Sequence, residues 1–129
     1  MEKAGNDILF KEESYRIIGM CMKIHNTLGK GFKEIVYKDA LEIELYRSKI
    51  KYKREACFSI EYEGARLQHF FIADFLITDC MILEIKSTPF LQAWHFAQTL
   101  NYLKASHLKL GILINFGEQR LNYKRIICP

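Results

Sequence analysis

The sequence predicts an α/β protein in which helices flank a mixed sheet. Two observations support this fold class. Apolar residues recur at helical spacing as far as Ser48, and strand-like segments then follow, with one further helical segment among them. Half of the 129 residues are hydrophobic, which is enough apolar material for one core. We therefore expect a single domain over residues 1–129.

Two helices are predicted at the start of the chain. The first runs from about Ile8 to Leu28, where the glycines of NTLGKG end it. The second runs from about Phe32 to Ser48. The residues that recur at helical spacing in the first helix are Ile17, Ile18, Cys21, Ile24, His25 and Leu28. The apolar residues of the second are Ile35, Val36, Ala40, Leu41, Ile43 and Leu45.

Three strands are predicted next. The segment ACFSIEYEG alternates apolar and polar residues and indicates a strand that ends at Gly64. The segments RLQHFFIADFLIT and CMILEIKS are the second and third strands. Because short turns join these strands, all three should run antiparallel to their neighbours.

The remaining chain predicts a helix and two strands. Pro89 follows the third strand and lies near the start of a helix from about Phe90 to Ser106. The apolar run LKLGILINF is typical of a central buried strand. It follows a helix, so it should be parallel to its neighbour in the sheet. A last strand, RLNYKRII, comes after the turn at Gly117.

Composition sets broad limits on function. The net charge of +4 permits binding to a polyanion without requiring it. The four cysteines form no CxxC pair, so we expect reduced thiols in a cytoplasmic protein. The charged N-terminal segment predicts no signal peptide. No apolar run approaches the roughly 18 residues of a membrane span, so we expect no membrane partner.

Two charged residues stand in the otherwise apolar third strand, at Glu84 and Lys86. A hairpin turn centred on Asp79 would place Asp74 of the second strand directly opposite Glu84. Side chains alternate between the faces of a strand. The sets expected to share a face are Ile72, Asp74 and Leu76 on one strand and Ile82, Glu84 and Lys86 on the other.

Facing carboxylates repel each other, and a divalent cation is their natural compensation. Mg²⁺ is often held by one or two carboxylates together with substrate phosphate. Lys86 could then hold a phosphate or help to deprotonate a water. The alternative is that Glu84 and Lys86 form a solvated face or a simple ion pair.

Polar residues also interrupt the apolar faces of two helices. Glu34 begins a stripe that continues through Tyr37, Leu41 and Leu45. It is either a first-turn acid favoured by the helix dipole or a third carboxylate directed at the sheet. In the third helix the polar residues that share a face are His95, Gln98 and Tyr102. These either serve the site, form a wet face of the helix, or make satisfied polar contacts at the margin of the core.

The same residues resemble two known signatures. GFKEIVY, residues Gly31–Tyr37, matches the GxxExxY signature that names a family of small prokaryotic proteins. Asp74 followed by Glu84-x-Lys86 resembles the PD-(D/E)XK nuclease signature. HFAQTLNYLKAS and KLGILINFG are similar to later segments of that family.

The resemblance covers the chain from about Tyr15 to Arg125. One departure is that Ile72 and Ala73 precede Asp74 where the signature has a proline. All of the charged positions are retained, which argues against an inactive remnant.

The resemblance implies the PD-(D/E)XK, restriction-endonuclease-like fold. This is an αβββαβ core, here with an extra N-terminal helix and a C-terminal strand. It also implies an Mg²⁺- or Mn²⁺-dependent phosphodiesterase. In such an enzyme Asp74 and Glu84 would be the metal-binding pair and Glu34 a further metal-binding acid carried by a helix. Lys86 would be the catalytic lysine, and Gln98 and Tyr102 match polar positions on the helix that follows it.

The partner implied by the resemblance is nucleic acid, with DNA favoured over RNA. Contacts to its backbone would come from basic residues, and the candidates are Lys30, Lys33, Arg66 and Lys124. A domain of this size could act as a homodimer or within a larger assembly. Two other classes stay open: a non-catalytic nucleic-acid-binding or protein-interaction module that keeps the fold, and a small-molecule or metal-binding protein.

Overall fold

The computed structural model describes residues 10–129 and has the predicted order of elements. Ile8 and Leu9, where the first helix was expected to begin, lie outside the described residues. The helices are α1 (Lys11–Leu28), α2 (Glu34–Arg47) and α3 (Ala93–Ser106). The strands are β1 (Tyr52–Tyr62), β2 (Ala65–Ile77), β3 (Met81–Lys86), β4 (Leu110–Asn115) and β5 (Asn122–Ile127).

The five strands form one mixed sheet in the order β1-β2-β3-β4-β5. Strands β3 and β4 are parallel, and every other neighbouring pair is antiparallel. This confirms the predicted α/β arrangement. Every residue of β4 is buried, as are all residues of β3 except Lys86, which is partly exposed. Their burial explains why both strands are almost continuously apolar.

Helices cover both faces of the sheet. On one face the main core joins α1 and α2 to the strands, with Ile17, Leu41 and Phe75 among its fully buried members. On the other face a smaller cluster contains Leu103 of α3 and Ile82 of β3. The third strand therefore lies between two apolar layers, and a charged residue in it has little access to water.

The turn before α2 is fixed by Tyr37. Its ring stacks on Phe116, with the ring centroids 4.4 Å apart. Its hydroxyl donates a 2.6 Å hydrogen bond to Gly29 O and accepts one from Phe32 N at 3.3 Å. Gly29 and Gly31 have φ angles of 73° and 113°, a region that disfavours residues with a side chain. These contacts fix the start of α2 beside the sheet.

Two predicted boundaries were wrong. Helix α3 begins at Ala93 rather than Phe90, because Gln92 and His95 cap it reciprocally and Pro89 lies in the preceding bend. Strand β1 begins at Tyr52, before the predicted segment. Tyr52 and Arg54 reach Glu42 of α2 through hydrogen bonds of 2.7 and 2.8 Å. Polar residues can therefore extend the strand although they break its alternating pattern.

The alternation of side chains along β2 is interrupted at Asp74. Phe75 and Ile77 pack with α1 and α2, whereas Ala73 packs with Leu103 of α3. Residues two apart would share a face in a regular strand. The prediction that Ile72, Asp74 and Leu76 share one face was therefore wrong. Ile72 precedes the interruption and Leu76 follows it, so the two residues do not lie on the same face of the sheet.

Strand β1 is interrupted at the same level. Arg54 pairs with Phe75 and bonds to α2, whereas Ala56 pairs with Ala73 on the α3 side. Glu55 lies between them with a left-handed φ of 56°. Such a conformation costs a residue with a side chain about 1–3 kcal/mol, and it is concentrated at functional sites.

All four cysteines, Cys21, Cys57, Cys80 and Cys128, are free thiols. Within residues 10–129 no helix is both long enough and apolar enough to cross a membrane.

Candidate active site

Asp74 and Glu84 face each other across the β2–β3 hairpin. Backbone pairing runs from Ile77 with Met81 to Phe75 with Leu83, a register centred on Asp79 as the sequence predicted. The next pair is Asp74 and Glu84, where side chains replace the backbone ladder. Asp74 N donates to Glu84 Oε2 at 2.9 Å, and Ile85 N donates to Asp74 Oδ2 at 2.7 Å.

Ionisation of Glu84 is costly in free energy, since only 4% of its surface is exposed. Burial raises the pKa of Glu84 to about 8, and the neighbouring charge of Asp74 contributes to the rise. The backbone hydrogen bond from Asp74 and the positive charges of Lys86 and Lys38 oppose the rise. Glu84 therefore holds its proton up to about pH 8 in the metal-free site, and the ionised pair would carry more negative charge than these groups compensate.

Lys38 of α2 is a third member of the site, and the sequence analysis missed it. Its Nζ donates to Asp74 Oδ1 at 3.0 Å and also contacts Glu55. Burial alone would lower the pKa of Lys38, but the bonds to Glu55 and Asp74 raise it above its ordinary value. A signal was available, because Lys38 follows Glu34 by four residues and so lies on the same side of the helix.

Lys86 and Glu34 lie at the end of β3. Lys86 is its last residue, is partly exposed and lies near enough to Glu84 to affect its pKa. Glu34 is the exposed first residue of α2, and its Oε2 accepts a hydrogen bond from Ser87 N at 3.3 Å. Glu34 thus contacts the residue after Lys86, and it does so from the first turn of its helix.

The three polar residues of α3 have different environments. His95 is buried and its Nδ1 accepts a hydrogen bond from Gln92 N at 2.8 Å. This agrees with the alternative in which His95 makes a satisfied polar contact at the margin of the core. Tyr102 stacks on Phe71 with the ring centroids 4.1 Å apart. Burial and the charges of Glu84 and Asp74 raise the pKa of Tyr102. Gln98 is partly buried one turn earlier on the same face.

A divalent cation such as Mg²⁺ takes oxygen ligands. Among residues 10–129 no three His, Cys, Asp or Glu side chains are gathered as a metal site, so Glu34 does not complete a site with the pair. Two carboxylates are nevertheless a common protein contribution to Mg²⁺ binding. The two facing carboxylates of Asp74 and Glu84 fit such an ion, whose charge would compensate the pair once Glu84 is ionised.

A cleft of about 760 Å³ opens beside Ser87, next to the end of β3. Two of the four basic candidates, Lys30 and Lys33, line it. Arg66 lies instead in the exposed outer part of the β1–β2 hairpin, and Lys124 is exposed on the edge strand β5. The structure therefore brings only the first two of these residues to the cleft.

The far wall of the cleft is fixed by Asn115, which is fully buried at the end of β4. Its Oδ1 accepts from Thr88 N and Gly117 N, both at 3.0 Å. Its Nδ2 donates to Thr88 O at 2.9 Å and to Glu118 Oε2 at 2.7 Å. The NFG segment thus holds the loop that follows Lys86, a role that strand periodicity does not reveal.

Known proteins are similar to this chain in sequence and in fold. A family model described as the PD-(D/E)XK nuclease superfamily matches residues 11–126. The crystal structure of SSO0001 superposes with a TM-score of 0.57 and 22% identity over 73% of this chain and 49% of that chain. The chain therefore spans about half the length of SSO0001.

An alkaline exonuclease, LHK-Exo from Laribacter hongkongensis, superposes with a TM-score of 0.55 and 9% identity. The superposition covers 91% of this chain and 69% of that chain. No curated protein matches the sequence. At these identities the two structures are similar to this chain in fold.

Proposed function

The chain belongs to the PD-(D/E)XK nuclease superfamily, and from this premise we propose that it is a metal-dependent nuclease that hydrolyses phosphodiester bonds. The observation that carries the proposal is the Asp74–Glu84 pair. Two facing carboxylates, one of them 4% exposed, lie where the backbone ladder of two strands gives way to side-chain bonds. Two facing carboxylates repel each other when both are ionised, and this favours a role for the pair in binding a cation.

Asp74 and Glu84 would hold the metal, Mg²⁺ or Mn²⁺, with Glu34 at the mouth of the site acting through water. A divalent ion held there supplies a Lewis acid for the phosphate group that reacts. Support for Glu34 comes from its hydrogen bond to Ser87 N, which places its carboxylate beside the end of β3.

Lys86 is proposed as the catalytic lysine. It ends β3 two residues after Glu84 and is partly exposed, so its ammonium group can reach both solvent and the pair. As the ammonium ion it would orient the attacking water and stabilise charge that develops on the phosphate oxygens, and as the neutral amine it would accept the proton of that water. Tyr102 and Gln98, on the helix that covers this face, would position the lysine, the water or the phosphate.

The substrate follows from the superfamily, which implies nucleic acid, and DNA is proposed over RNA. The cleft beside Ser87 would take its backbone. Lys30 and Lys33 offer two positive charges there, and the exposed ring of Phe32 lies between them in the sequence. Basic residues interleaved with an aromatic ring suit a sugar–phosphate backbone with an unpaired base.

We further propose that the chain belongs to the GxxExxY family, within which it would be a prokaryotic, cytoplasmic protein. The three signature residues have distinct contacts that support this. Gly31 adopts a positive φ in the turn, Glu34 bonds to Ser87 N, and the hydroxyl of Tyr37 closes the turn on Gly29 O. Together they bind the turn before α2 to the end of β3.

The test is a cleavage assay on single- and double-stranded DNA and RNA with Mg²⁺ or Mn²⁺. It compares the wild type with Asp74→Ala/Glu84→Ala, and both proteins are titrated with metal by calorimetry. We expect metal binding and cleavage in the wild type and the loss of both in the variant. Identical behaviour of the two proteins would refute the nuclease proposal. Salt-dependent nucleic-acid binding without cleavage would indicate a non-catalytic module instead.

A further inference from the structure

Lys38 bridges the carboxylates of Asp74 and Glu55, at the level where the alternation of side chains along β1 and β2 is interrupted. Its Nζ lies 3.0 Å from Asp74 Oδ1 and also contacts Glu55 on the neighbouring strand. The lysine and aspartate side chains are only 11% and 18% exposed, whereas Glu55 is 50% exposed. The cation thus has one partner inside the site and another at its edge.

The position of Glu55 does not follow from the regular sheet. Backbone pairing skips from Arg54–Phe75 to Ala56–Ala73, which leaves Glu55 and Asp74 as the residues at the interruption. Glu55 adopts its left-handed φ of 56° there, and its carboxylate meets Lys38. A strained backbone that presents a second acceptor to a buried lysine is better explained by a use for that acceptor than by packing.

Lys38 also occupies an oxygen that a metal would need. Asp74 Oδ2 is engaged by Ile85 N, so Lys38 covers the other oxygen of the same carboxylate. An ammonium group and a divalent cation cannot share that oxygen without strong like-charge repulsion.

We propose that Lys38 is the resident counter-ion of the Asp74–Glu84 pair and that it is exchanged for the divalent metal, leaving Asp74 and staying bound to Glu55. This inference rests on the proposed metal-dependent function. Lys38 is a positioning residue in this account. It stabilises the metal-free site and weakens metal binding, while Glu55 holds the displaced ammonium group.

The experiment is calorimetric titration with Mn²⁺ at pH 8 of the wild type, Lys38→Met and Glu55→Gln. We expect Lys38→Met to bind Mn²⁺ roughly tenfold more tightly, an order of magnitude suited to one partly exposed charge. Its melting temperature in EDTA should be lower than that of the wild type, because the carboxylates lose their counter-ion. Saturating Mn²⁺ should restore it.

Glu55→Gln should weaken Mn²⁺ binding severalfold, because the displaced lysine has lost its acceptor. The loss of the negative charge of Glu55 would by itself also weaken Mn²⁺ binding. The double variant Lys38→Met/Glu55→Gln therefore decides between lysine exchange and general electrostatics. Exchange requires that Glu55→Gln lose most of its effect once Lys38 is absent, whereas independent charges give additive effects. Lys38→Arg keeps the charge, and Lys23→Met removes an exposed lysine paired with Glu44 as a matched control.

Tighter Mn²⁺ binding by Lys38→Met, together with a non-additive cycle, supports the exchange. Equal or weaker binding by a folded Lys38→Met overturns it, as does an additive cycle. If neither the wild type nor Lys38→Met binds Mn²⁺, the exchange is also overturned. The cleavage assay on Asp74→Ala/Glu84→Ala tests the nuclease proposal separately, so the two failures are distinguishable.

Discussion

Asp74 and Glu84 lie opposite each other on β2 and β3, and the carboxylate of each accepts a hydrogen bond from a backbone N–H of the other strand. Each side chain therefore takes the place of a ladder bond that the sheet lacks at this point. The arrangement holds both carboxylates in fixed positions before any ligand arrives. Its cost is the burial of the Glu84 carboxylate and, after that, repulsion by Asp74, and together these raise the pKa of Glu84.

The metal-free protein should become less stable as the pH rises from about 5 to 8. Glu84 has a folded-state pKa of about 8 against an ordinary 4.5, so in this window the folded state binds more protons than the unfolded state. The free energy of unfolding therefore falls as the pH increases. Urea denaturation in EDTA across this range measures the effect.

Glu84→Gln should remove this part of the pH dependence, because its amide carries no charge. It should be more stable than the wild type at pH 8 by roughly 1–3 kcal/mol, the range for a poorly solvated buried polar group. Glu63→Gln, in the exposed β1–β2 turn, is the control and should keep the wild-type profile. Parallel profiles for Glu84→Gln and the wild type would contradict the prediction.

Lys86→Ala should reduce cleavage by roughly 10²–10⁴-fold, the usual contribution of a positioned acid–base group. Its melting temperature should change little, because Lys86 is partly exposed at the end of its strand. The comparison is with Lys109→Ala, an exposed lysine that precedes β4 at the other end of the sheet. Cleavage that survives in Lys86→Ala would move the catalytic role to another residue.

Lys30→Ala/Lys33→Ala should weaken binding to labelled oligonucleotides and flatten its salt dependence. Each lost phosphate contact reduces the slope of log K against log salt by about 0.9 for a duplex and 0.7 for a single strand. Fluorescence anisotropy with a cleavage-deficient Asp74→Ala background measures both quantities. Lys49→Ala/Lys109→Ala removes the same charge away from the cleft and should leave the slope unchanged.

The order of elements could be predicted because the local patterns are strong. Helical and strand periodicities change abruptly, and the β2–β3 turn centred on Asp79 fixes the facing of Asp74 and Glu84. The face change at Glu55 and Asp74 could not be predicted, because a residue that breaks the alternation has no signature in the pattern. The early start of β1 was missed for a related reason, since Tyr52 and Arg54 find polar partners on α2.

The charged residues on β3 were apparent because they interrupt an apolar strand. Lys38 and Asn115 were not apparent, because their roles depend on long-range contacts. Lys38 reaches Asp74 across 36 positions, and Asn115 reaches Thr88 across 27. A lysine on an amphipathic helix and an asparagine at a strand end are ordinary by local criteria. Only the packing of α2 and of the loop after β3 gives them partners at the site.

The contact between Gly117 and Thr88 gives the last prediction. A Cβ atom on Gly117 would lie 2.3 Å from both the N and the O atom of Thr88, and backbone atoms cannot move aside as a flexible side chain can. Gly117→Ala should therefore push away the loop after Lys86 and destabilise the fold by about 1–3 kcal/mol. Thermal denaturation measures the loss of stability, and nuclease activity should fall as well because Lys86 and Ser87 lead into this loop.

The matched control for that substitution is Gly19→Ala on the exposed surface of α1, where an added Cβ would meet nothing within 4 Å. There the same change should stabilise the protein by about 0.5–1 kcal/mol, since alanine is the better helix former. Opposite signs at the two glycines would show that close packing of the loop against the end of β4 is needed for stability. A Gly117→Ala protein as stable and active as the wild type would mean that the loop tolerates displacement and that Asn115 alone holds it.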